Sequence, residues 1–222
     1  GDAGATDAAF ARAAHVVRFK NQVQRVTGVH MEPRAAVAYF DGDGPRLTLH
    51  ASSGIGVVAM RDQIAAVMNL PPEAVRVAAP PNVGGNFGTR NAIYPEYPAI
   101  ALAARMLGRP VKHVAERSEA FLSDYQGRDL HIDAELAIDE AGRFLALRAV
   151  NTSNIGAHTV SYVPLNKGAQ LMTGLYRVPA GTVTACAAMT NTPPTIPYRS
   201  AGRPEAMYAI ERIIDIAARE IG

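Results

Sequence analysis

An alternation of apolar and polar side chains between Leu130 and Asp139, interrupted only at Ala137, limits the fold of this chain more than any other feature. Apolar side chains at every second position give a β-strand with one buried face and one polar face. The apolar positions are Leu130, Ile132, Ala134, Leu136 and Ile138. The turn Glu140–Gly142 and the run Phe144–Val150 follow directly, so the sequence predicts a long antiparallel hairpin.

Shorter segments predict further strands. Ala35–Phe40 and Arg46–His50 flank Asp41–Gly44, whose composition is typical of a hairpin turn. Asp41–Gly44 also matches the beginning of a calcium-binding loop, but the later ligands of such a loop are missing, so we favour the turn. The remaining predicted strands are Val75–Ala78, Val111–Ala115 and Thr182–Ala188.

Three segments have the periodicity of helices. The first follows Ser52 and Ser53, which suit a helix start, the second runs from Tyr94 to Leu107, and the third from Pro204 to Glu220. Their predicted buried faces are Val57, Met60, Ile64 and Val67; Ile100, Ala103, Ala104 and Leu107; and Met207, Ile210, Ile214, Ala217 and Ile221. Hairpins combined with helices predict an α+β fold, a mainly antiparallel sheet with helices packed on one face.

Composition excludes several classes of protein. The chain has 222 residues, 48% of them hydrophobic, which fits one large or two small globular domains. A net charge of +2 gives no field that favours nucleic acid, and no segment has the composition of a membrane span. The single cysteine, Cys186, excludes an internal disulfide or an iron–sulfur cluster held by this chain alone. The sequence lacks a signal peptide and an initial Met, which predicts a piece of a longer protein.

A cluster of glycines, Gly84-Gly85-Asn86-Phe87-Gly88, lies between a predicted strand and a predicted helix. Glycines permit close approach to the backbone, so the amide N–H groups of such a loop can face an anion or an oxo ligand. The spacing matches neither a dinucleotide fingerprint nor a Walker A motif. A ligand-binding loop and a tight structural turn both remain open from spacing alone.

The segment Tyr198–Glu205 is a second candidate, because small residues between Arg199 and Arg203 directly precede a helix. Free N–H groups at a helix start, together with guanidinium groups, favour an anion. The alternative is a surface loop whose arginines pair with Glu205 or Glu211. The other titratable residues form no motif: Glu96, Glu116, Glu119 and Glu205 are possible bases that spacing does not distinguish from ordinary carboxylates.

Several segments, in order along the chain, resemble the large, molybdenum-cofactor-binding subunit of the xanthine dehydrogenase/aldehyde oxidase family, and more closely its carbon monoxide dehydrogenase-like branch. The segments are Met31–Arg34, Val83–Gly88, Tyr94–Glu96, Gly108–Lys112, Gly127–Asp129 and Tyr198–Ala206. The resemblance covers nearly the whole chain and implies that residues 1–222 are the first molybdopterin-binding domain of a larger subunit, with residues 1–30 as a candidate linker from a preceding domain.

This resemblance implies a site and a reaction. The first loop would bind the cofactor, through Gly84, Gly85, Asn86, Phe87 and Gly88, and the second would face the substrate, through Arg199, Ser200, Ala201, Gly202 and Arg203. The cofactor would be a molybdopterin-type molybdenum cofactor, completed by a second half of the subunit that also carries the catalytic glutamate. The reaction would be hydroxylation of an aldehyde, N-heterocycle or similar small substrate with oxygen from water, and the isolated chain would have no turnover.

The resemblance also implies partners: the remaining half of the large subunit, a medium subunit that binds FAD and a small iron–sulfur subunit, assembled as a dimer of heterotrimers in the cytoplasm. No nucleic-acid partner is expected. Three positions depart from the family pattern. Gly54 replaces a glutamine that helps to hold the metal's oxo group, Asn86 replaces the middle glycine of a G-G-G-F-G loop, and Ser200 replaces the copper-binding cysteine of carbon monoxide dehydrogenases.

Two other functions stay open at this point. One is a non-catalytic assembly or scaffold domain of the same fold with a degenerate cofactor site, which Gly54 and Asn86 suggest. The other is a stand-alone phosphate- or nucleotide-binding protein that uses the Gly84–Gly88 loop.

Overall fold

The computed structural model describes residues 1–42 and 44–222, and its chain divides into two compact units. The first unit comprises Gly1–Val26 and Gln126–Gly222, and the second comprises Thr27–Tyr125. Each unit has its own four-stranded sheet and its own helices. The predicted α+β class is confirmed, but the strands that the sequence suggested for one sheet belong to two.

The sheet of the first unit has the order β1-β6-β7-β8. Its strands are β1 (His15–Val23), β6 (Leu130–Ile138), β7 (Phe144–Gly156) and β8 (Ala180–Met189), and its helices are α1 (Ala3–Ala11), α5 (Val163–Gln170) and α6 (Arg203–Ile221). β1, β6 and β7 pair antiparallel, with Leu136 opposite Leu147, whereas β7 and β8 are parallel. The long hairpin predicted from the alternation is therefore confirmed.

The core of the first unit lies where α6 covers the apolar face of β6. Leu130, Ile132, Leu136 and Ile138 are at most 3% exposed and pack with buried residues of α6. Ala137 and Ala146 alternate with that face and pack instead against Ala9 of α1. The candidate linker, residues 1–30, contains α1 and β1, and β1 pairs with β6 along its whole length.

The sheet of the second unit has the order β4-β3-β2-β5. Its strands are β2 (Ala35–Phe40), β3 (Leu47–Ala51), β4 (Val75–Ala78) and β5 (Val111–Val114), and its helices are α2 (Val57–Met68), α3 (Glu96–Leu107) and α4 (Arg117–Ser123). β2 and β3 form the predicted hairpin, with Phe40 opposite Leu47. The predicted turn between them includes Asp43, which lies outside the described residues.

The buried faces of the helices differ from the predicted ones by a rotation about the helix axis. In α6, Ala206, Ala209, Ile210, Ile213 and Ala217 are buried, whereas Ile221 is exposed. In α3, Tyr97, Ile100, Ala101 and Ala104 are buried, whereas Leu107 is exposed. Alanines and large apolar residues share the buried side of each helix, and Met207 and Ile214 of the predicted face of α6 pack partly buried against the core. No helix within residues 1–42 and 44–222 is long and apolar enough to cross a membrane.

Candidate functional site

The glycine-rich loop of the second unit has an unusual backbone. Gly85, Phe87 and Gly88 have φ angles of +117°, +50° and +97°. A positive φ is easily adopted by glycine but is unfavourable for Phe87. Strain of this kind persists only where surrounding contacts hold it, and it is common at functional sites.

The contacts that hold the loop come from His30 and Glu32. The N–H of Gly84 donates to Glu32 Oε2 at 2.5 Å, and the N–H of Glu32 donates to the carbonyl of Gly84 at 3.1 Å. His30 Nε2 lies 2.8 Å from the Asn86 carbonyl, and the His30 ring stacks on Phe87 with ring centres 5.4 Å apart. The loop is therefore fixed at its beginning and at its middle.

Backbone amides in the middle of this loop are free of protein partners. Gly88 N–H donates to Asn86 Oδ1 at 2.7 Å and Thr89 N–H to the Asn86 carbonyl at 3.1 Å. The N–H groups of Gly85, Asn86 and Phe87 make no hydrogen bond to any residue in the described part of the chain. Successive free amides next to residues of positive φ suit an anion or another oxygen acceptor.

The segment before α2 adjoins the loop at Gly54, whose N–H donates to the carbonyl of Arg90 at 3.0 Å. Ser52 and Ser53 do not cap α2, because the helix begins at Val57 with Gly56 as its N-cap. The hydroxyl oxygens of both serines are buried and have no hydrogen-bond partner among the described residues. Unpaired buried hydroxyls are rare and costly, so they point to a partner outside the chain.

A network of buried charges supports the residues that hold the loop. Arg34 is 2% exposed, forms ion pairs with Glu96 and Asp124, and lies 4.2 Å over the Tyr94 ring. The Tyr94 hydroxyl donates to the carbonyl of Thr89 at 2.8 Å. Arg117 donates to the carbonyls of His30 and Met31 at 2.7 and 2.8 Å. These contacts fix Thr89, directly after the loop, and His30, which contacts the middle of the loop.

Burial makes His30 a source of pH-dependent stability. Its pKa lies below the ordinary value, mainly because burial disfavours the charged ring, with further lowering by Arg90, Arg117 and Arg34 against the hydrogen bond to Asn86. Since the unfolded histidine takes up a proton near pH 6.5 and the folded one resists it, the contribution of His30 is complete above about pH 6.5 and lost as the pH falls below it.

We expect His30→Gln to reduce the fall in unfolding free energy on acidification from pH 7 to pH 5. Gln lacks the ionisation but retains a side-chain donor for the Asn86 carbonyl. A single proton gives a slope of at most about 1.4 kcal/mol per pH unit, and up to that amount should disappear. Urea unfolding at a series of pH values measures it. An unchanged slope would mean that His30 titrates normally.

The second predicted loop, in the first unit, has a still more unusual backbone. Arg199, Ser200, Ala201 and Gly202 have successive φ angles of +24°, +70°, +36° and +84°. Arg199, Ser200 and Arg203 are exposed, whereas Ala201 and Gly202 are buried. The backbone is thus turned so that Arg199 and Ser200 project outward from a buried base. A run of non-glycine residues in this region is a strong indication of a functional constraint.

Arg128 holds this loop in place. Its Nη1 donates to both carboxylate oxygens of Glu205 at 3.0 Å, and its Nη2 donates to the carbonyl of Arg199 at 2.9 Å. The same guanidinium lies 5.2 Å from the centre of the Tyr198 ring. Gly127 makes this possible, because a Cβ at that residue would lie 3.0 Å from Cγ of Tyr198 and closer still to its Cβ.

The sequence suggested that the arginines of this loop pair with Glu205 or Glu211, but the structure gives these carboxylates other partners. Glu205 pairs with Arg128, and Glu211 accepts hydrogen bonds from Tyr176, so neither pairs with Arg199 or Arg203. Arg203 donates from its backbone and its side chain to the carbonyl of Ser200. The predicted pairing of these arginines with Glu205 or Glu211 is therefore wrong, although Arg199 and Arg203 are exposed as in a surface loop. The Arg203 guanidinium donates to a carbonyl of the loop itself.

The other candidate carboxylates have structural partners. Glu96 pairs with Arg34, while Glu116 and Glu119 form the capping box of α4. Sequence analysis missed the roles of His30, Arg90 and Arg128, although Met31–Arg34 and Gly127–Asp129 were among the segments of the resemblance. Of these three residues only Arg128 lies within such a segment, next to Gly127, whereas His30 and Arg90 lie outside them.

Known proteins place the chain in a family. The family model for the molybdopterin cofactor-binding domain matches residues 1–222. This chain belongs to that family. The 6-hydroxypseudooxynicotine dehydrogenase complex subunit gamma of Paenarthrobacter nicotinovorans is 40% identical over 99% of the chain and 28% of its own length. The carbon monoxide dehydrogenase large chain of Hydrogenophaga pseudoflava is 34% identical over the whole chain and 28% of its own length.

Solved structures of this family agree with the fold. Quinoline 2-oxidoreductase from Pseudomonas putida 86 has a TM-score of 0.91 and 33% identity over 97% of this chain and 28% of its own. Reconstituted CO dehydrogenase from Oligotropha carboxidovorans has a TM-score of 0.91 and 31% identity over 100% and 28%. The predicted resemblance is confirmed, and the chain spans about 28% of the length of these relatives.

The described residues fit the cofactor that the family name implies. The loop offers the free amides of Gly85, Asn86 and Phe87, and the adjoining segment offers the unpaired hydroxyls of Ser52 and Ser53. All of these groups can donate a hydrogen bond, and a cofactor rich in oxygen acceptors would satisfy them.

Proposed function

We propose that this chain is the first cofactor-facing domain of a molybdenum hydroxylase large subunit. The subunit would hydroxylate an aldehyde, N-heterocycle or similar small organic substrate, using oxygen from water. The observation that supports this most is the loop Gly84–Gly88, in which three successive backbone amides are free while the residues around them are fixed by His30 and Glu32.

Each loop has its own task in this proposal. The amides of Gly85–Phe87 and the hydroxyls of Ser52 and Ser53 hold acceptor atoms of the cofactor, which when bound supplies the two-electron oxidation of a substrate carbon–hydrogen bond. The Phe87 ring, stacked on His30, covers one side of the loop and limits access of water. The strained Arg199–Gly202 backbone orients the exposed Arg199 and Ser200 toward the substrate.

The rest of the enzyme is part of the same proposal. A second half of the large subunit would complete the cofactor site and supply the catalytic glutamate. Electrons would pass to iron–sulfur clusters on a small subunit and to FAD on a medium subunit, with two such heterotrimers in the complete enzyme. The name of the gamma-subunit relative, which belongs to a dehydrogenase complex, supports a multi-subunit assembly.

We expect Gly85→Ala in the complete protein to lower molybdenum content several-fold. A Cβ at Gly85 would lie 3.3 Å from Phe87 and 3.4 Å from His30, at a φ of +117°, and would crowd the free amides. Gly88→Ala, at a φ of +97°, should act in the same direction. Elemental analysis of the purified protein measures the effect, with the unfolding midpoint of the cofactor-free form beside it.

Gly56→Ala is the matched control for backbone strain. Gly56 has a φ of +89° and nothing within 4 Å of an added Cβ. It should cost about 1–3 kcal/mol of stability, because φ +89° with ψ 152° is a conformation that almost only glycine adopts, but it should leave the molybdenum content unchanged. Equal losses of stability and of molybdenum in both variants would mean that Gly84–Gly88 is only a structural turn.

The identity of Ser200 predicts that the complete enzyme does not oxidise carbon monoxide with copper. Cu(I) prefers thiolate ligands, and a serine hydroxyl is a poor substitute. Ser200 is exposed at the position where the resemblance places the copper-binding cysteine of carbon monoxide dehydrogenases. Dye reduction with carbon monoxide as the only electron donor tests this, and a rate comparable to that with an organic substrate would refute it.

A further inference from the structure

Gly54 and Asn86 are in contact in the second unit, although they are far apart in sequence. A Cβ built on Gly54 would overlap Nδ2 of Asn86 and Oδ1 of Asn91, and would lie 2.9 Å from the carbonyl oxygen of Arg90. The φ of Gly54 is outside the left-handed region. Residue 54 is therefore a glycine because its neighbours fill the space for a side chain, and not because its backbone requires one.

The orientation of the Asn86 carboxamide is determined by its hydrogen bonds. Its Oδ1 accepts from the N–H of Gly88 at 2.7 Å, and only the oxygen of the carboxamide can accept from that donor. Nδ2, with two hydrogens to donate, therefore lies on the side of Gly54. The Asn86 carbonyl is held by His30 and Thr89, so the residue has little freedom to turn.

Buried groups with no partner among the described residues lie on the segments next to this carboxamide in sequence or in space. Gly54 directly follows Ser52 and Ser53, whose buried hydroxyls have no partner in the described part of the chain. Nε of Arg90, a residue that is 2% exposed, also has none among the described residues. These buried polar atoms lie on the segments that meet at Gly54, which indicates that a polar group from outside the chain belongs there.

We propose that the Asn86 carboxamide is a hydrogen-bond donor to the bound cofactor, and that Gly54 is a glycine in order to make room for it. The proposal rests on the proposed function, because the acceptor is an oxygen of the molybdenum cofactor. Both departures from the family pattern then have one cause. A side chain at residue 54 is excluded by the carboxamides of Asn86 and Asn91, so the donor amide is supplied from residue 86 instead of from residue 54.

Asn86→Asp tests the donor directly in the complete holoenzyme. Aspartate has the same shape and keeps the acceptor for Gly88 N–H, but it replaces the amide donor by an oxygen. We expect the unfolding midpoint of the cofactor-free form to stay close to that of the parent. Molybdenum and pterin content should fall about three- to tenfold, the loss expected for one hydrogen bond at a buried site. Full cofactor content in Asn86→Asp would overturn the proposal.

Combined variants of residues 54, 86 and 91 test whether the donor amide at residue 86 replaces one at residue 54. Gly54→Gln alone should lower both the unfolding midpoint and the cofactor content, because the new side chain overlaps Asn86. Gly54→Gln combined with Asn86→Gly and Asn91→Ala, which together remove both side-chain overlaps, should recover cofactor content to within about twofold of the parent, a coupling that independent sites do not show. The control is Gly54→Gln with Asn91→Ala, which removes the other overlap but leaves Asn86 in place.

The outcomes distinguish failure of the exchange between residues 54 and 86 from failure of the proposed function. Recovery only when Asn86→Gly accompanies Asn91→Ala supports the exchange, whereas equal recovery with Asn91→Ala alone, or no recovery with either combination, refutes it. Absence of molybdenum and pterin from the parent protein would instead refute the proposed function itself.

Discussion

Gly202→Ala should destabilise the protein by at least about 3 kcal/mol, which for a chain of this size lowers the unfolding midpoint by roughly 6–12 °C. A Cβ at Gly202 would lie 2.6 Å from the backbone nitrogen of Gly168 and would overlap the carbonyl oxygen of Pro164. Both atoms belong to the backbone of α5, which cannot yield as a side chain can. The φ of +84° adds the strain of a left-handed residue.

Gly108→Ala is the matched control, because Gly108 also has a positive φ, +63°, and has nothing within 4 Å of an added Cβ. It should cost about 1 kcal/mol, the usual penalty for alanine in this conformation at a helix end. The difference between the two variants in calorimetry of the cofactor-free protein isolates the packing of the Arg199–Gly202 loop on α5. Equal losses would show that the close contact with Pro164 and Gly168 does not exist.

Arg128→Met should cost about 3–5 kcal/mol, because it leaves the carboxylate of Glu205 buried without its partner. Glu205 is 2% exposed, and Arg128 Nη1 lies 3.0 Å from its Oε2. Replacing both residues, as Arg128→Met with Glu205→Leu, should restore much of the stability, since the uncompensated charge is gone. Chemical denaturation of the two variants and the parent gives this comparison.

The double variant should regain stability but not the ordered conformation of the Arg199–Gly202 loop. Arg128 also binds the carbonyl of Arg199 and lies over the Tyr198 ring, and neither contact is restored in the double variant. Hydrogen exchange of the amides near Ala201 should therefore be faster in both variants than in the parent. Arg18→Met, which removes an exposed partner of Glu135, should leave the midpoint close to that of the parent. Unchanged hydrogen exchange near Ala201 would mean that Arg128 does not hold the Arg199–Gly202 loop in place.

Local pattern was enough to predict most strands. The alternation at Leu130–Ile138 fixes which side of β6 is buried, and the turns at either end fix its length, so the β6–β7 hairpin could be predicted from the sequence. The amphipathic faces of the helices were harder to predict. In α3 the sequence offers alanines on several sides, and the choice between Ala101 and Ala103 depends on the sheet that the helix meets.

The site was only partly predictable, because its supports join residues that are distant in sequence. His30 reaches Asn86, Arg34 reaches Glu96 and Asp124, and Gly54 meets Asn86. A buried arginine is unfavourable by itself and becomes stable only with these partners. The sequence therefore indicated the two loops but not the charged residues that hold their strained backbones.

The proposal that this domain holds a molybdopterin depends most directly on the cofactor content of the complete protein that carries this sequence. The protein, purified from cells that load other molybdenum enzymes, is to be analysed for molybdenum by mass spectrometry and for pterin by fluorescence after release. The account predicts both in stoichiometric amount with the chain, and a lower amount in Gly85→Ala but not in Gly56→Ala. A folded protein that contains neither molybdenum nor pterin would contradict it.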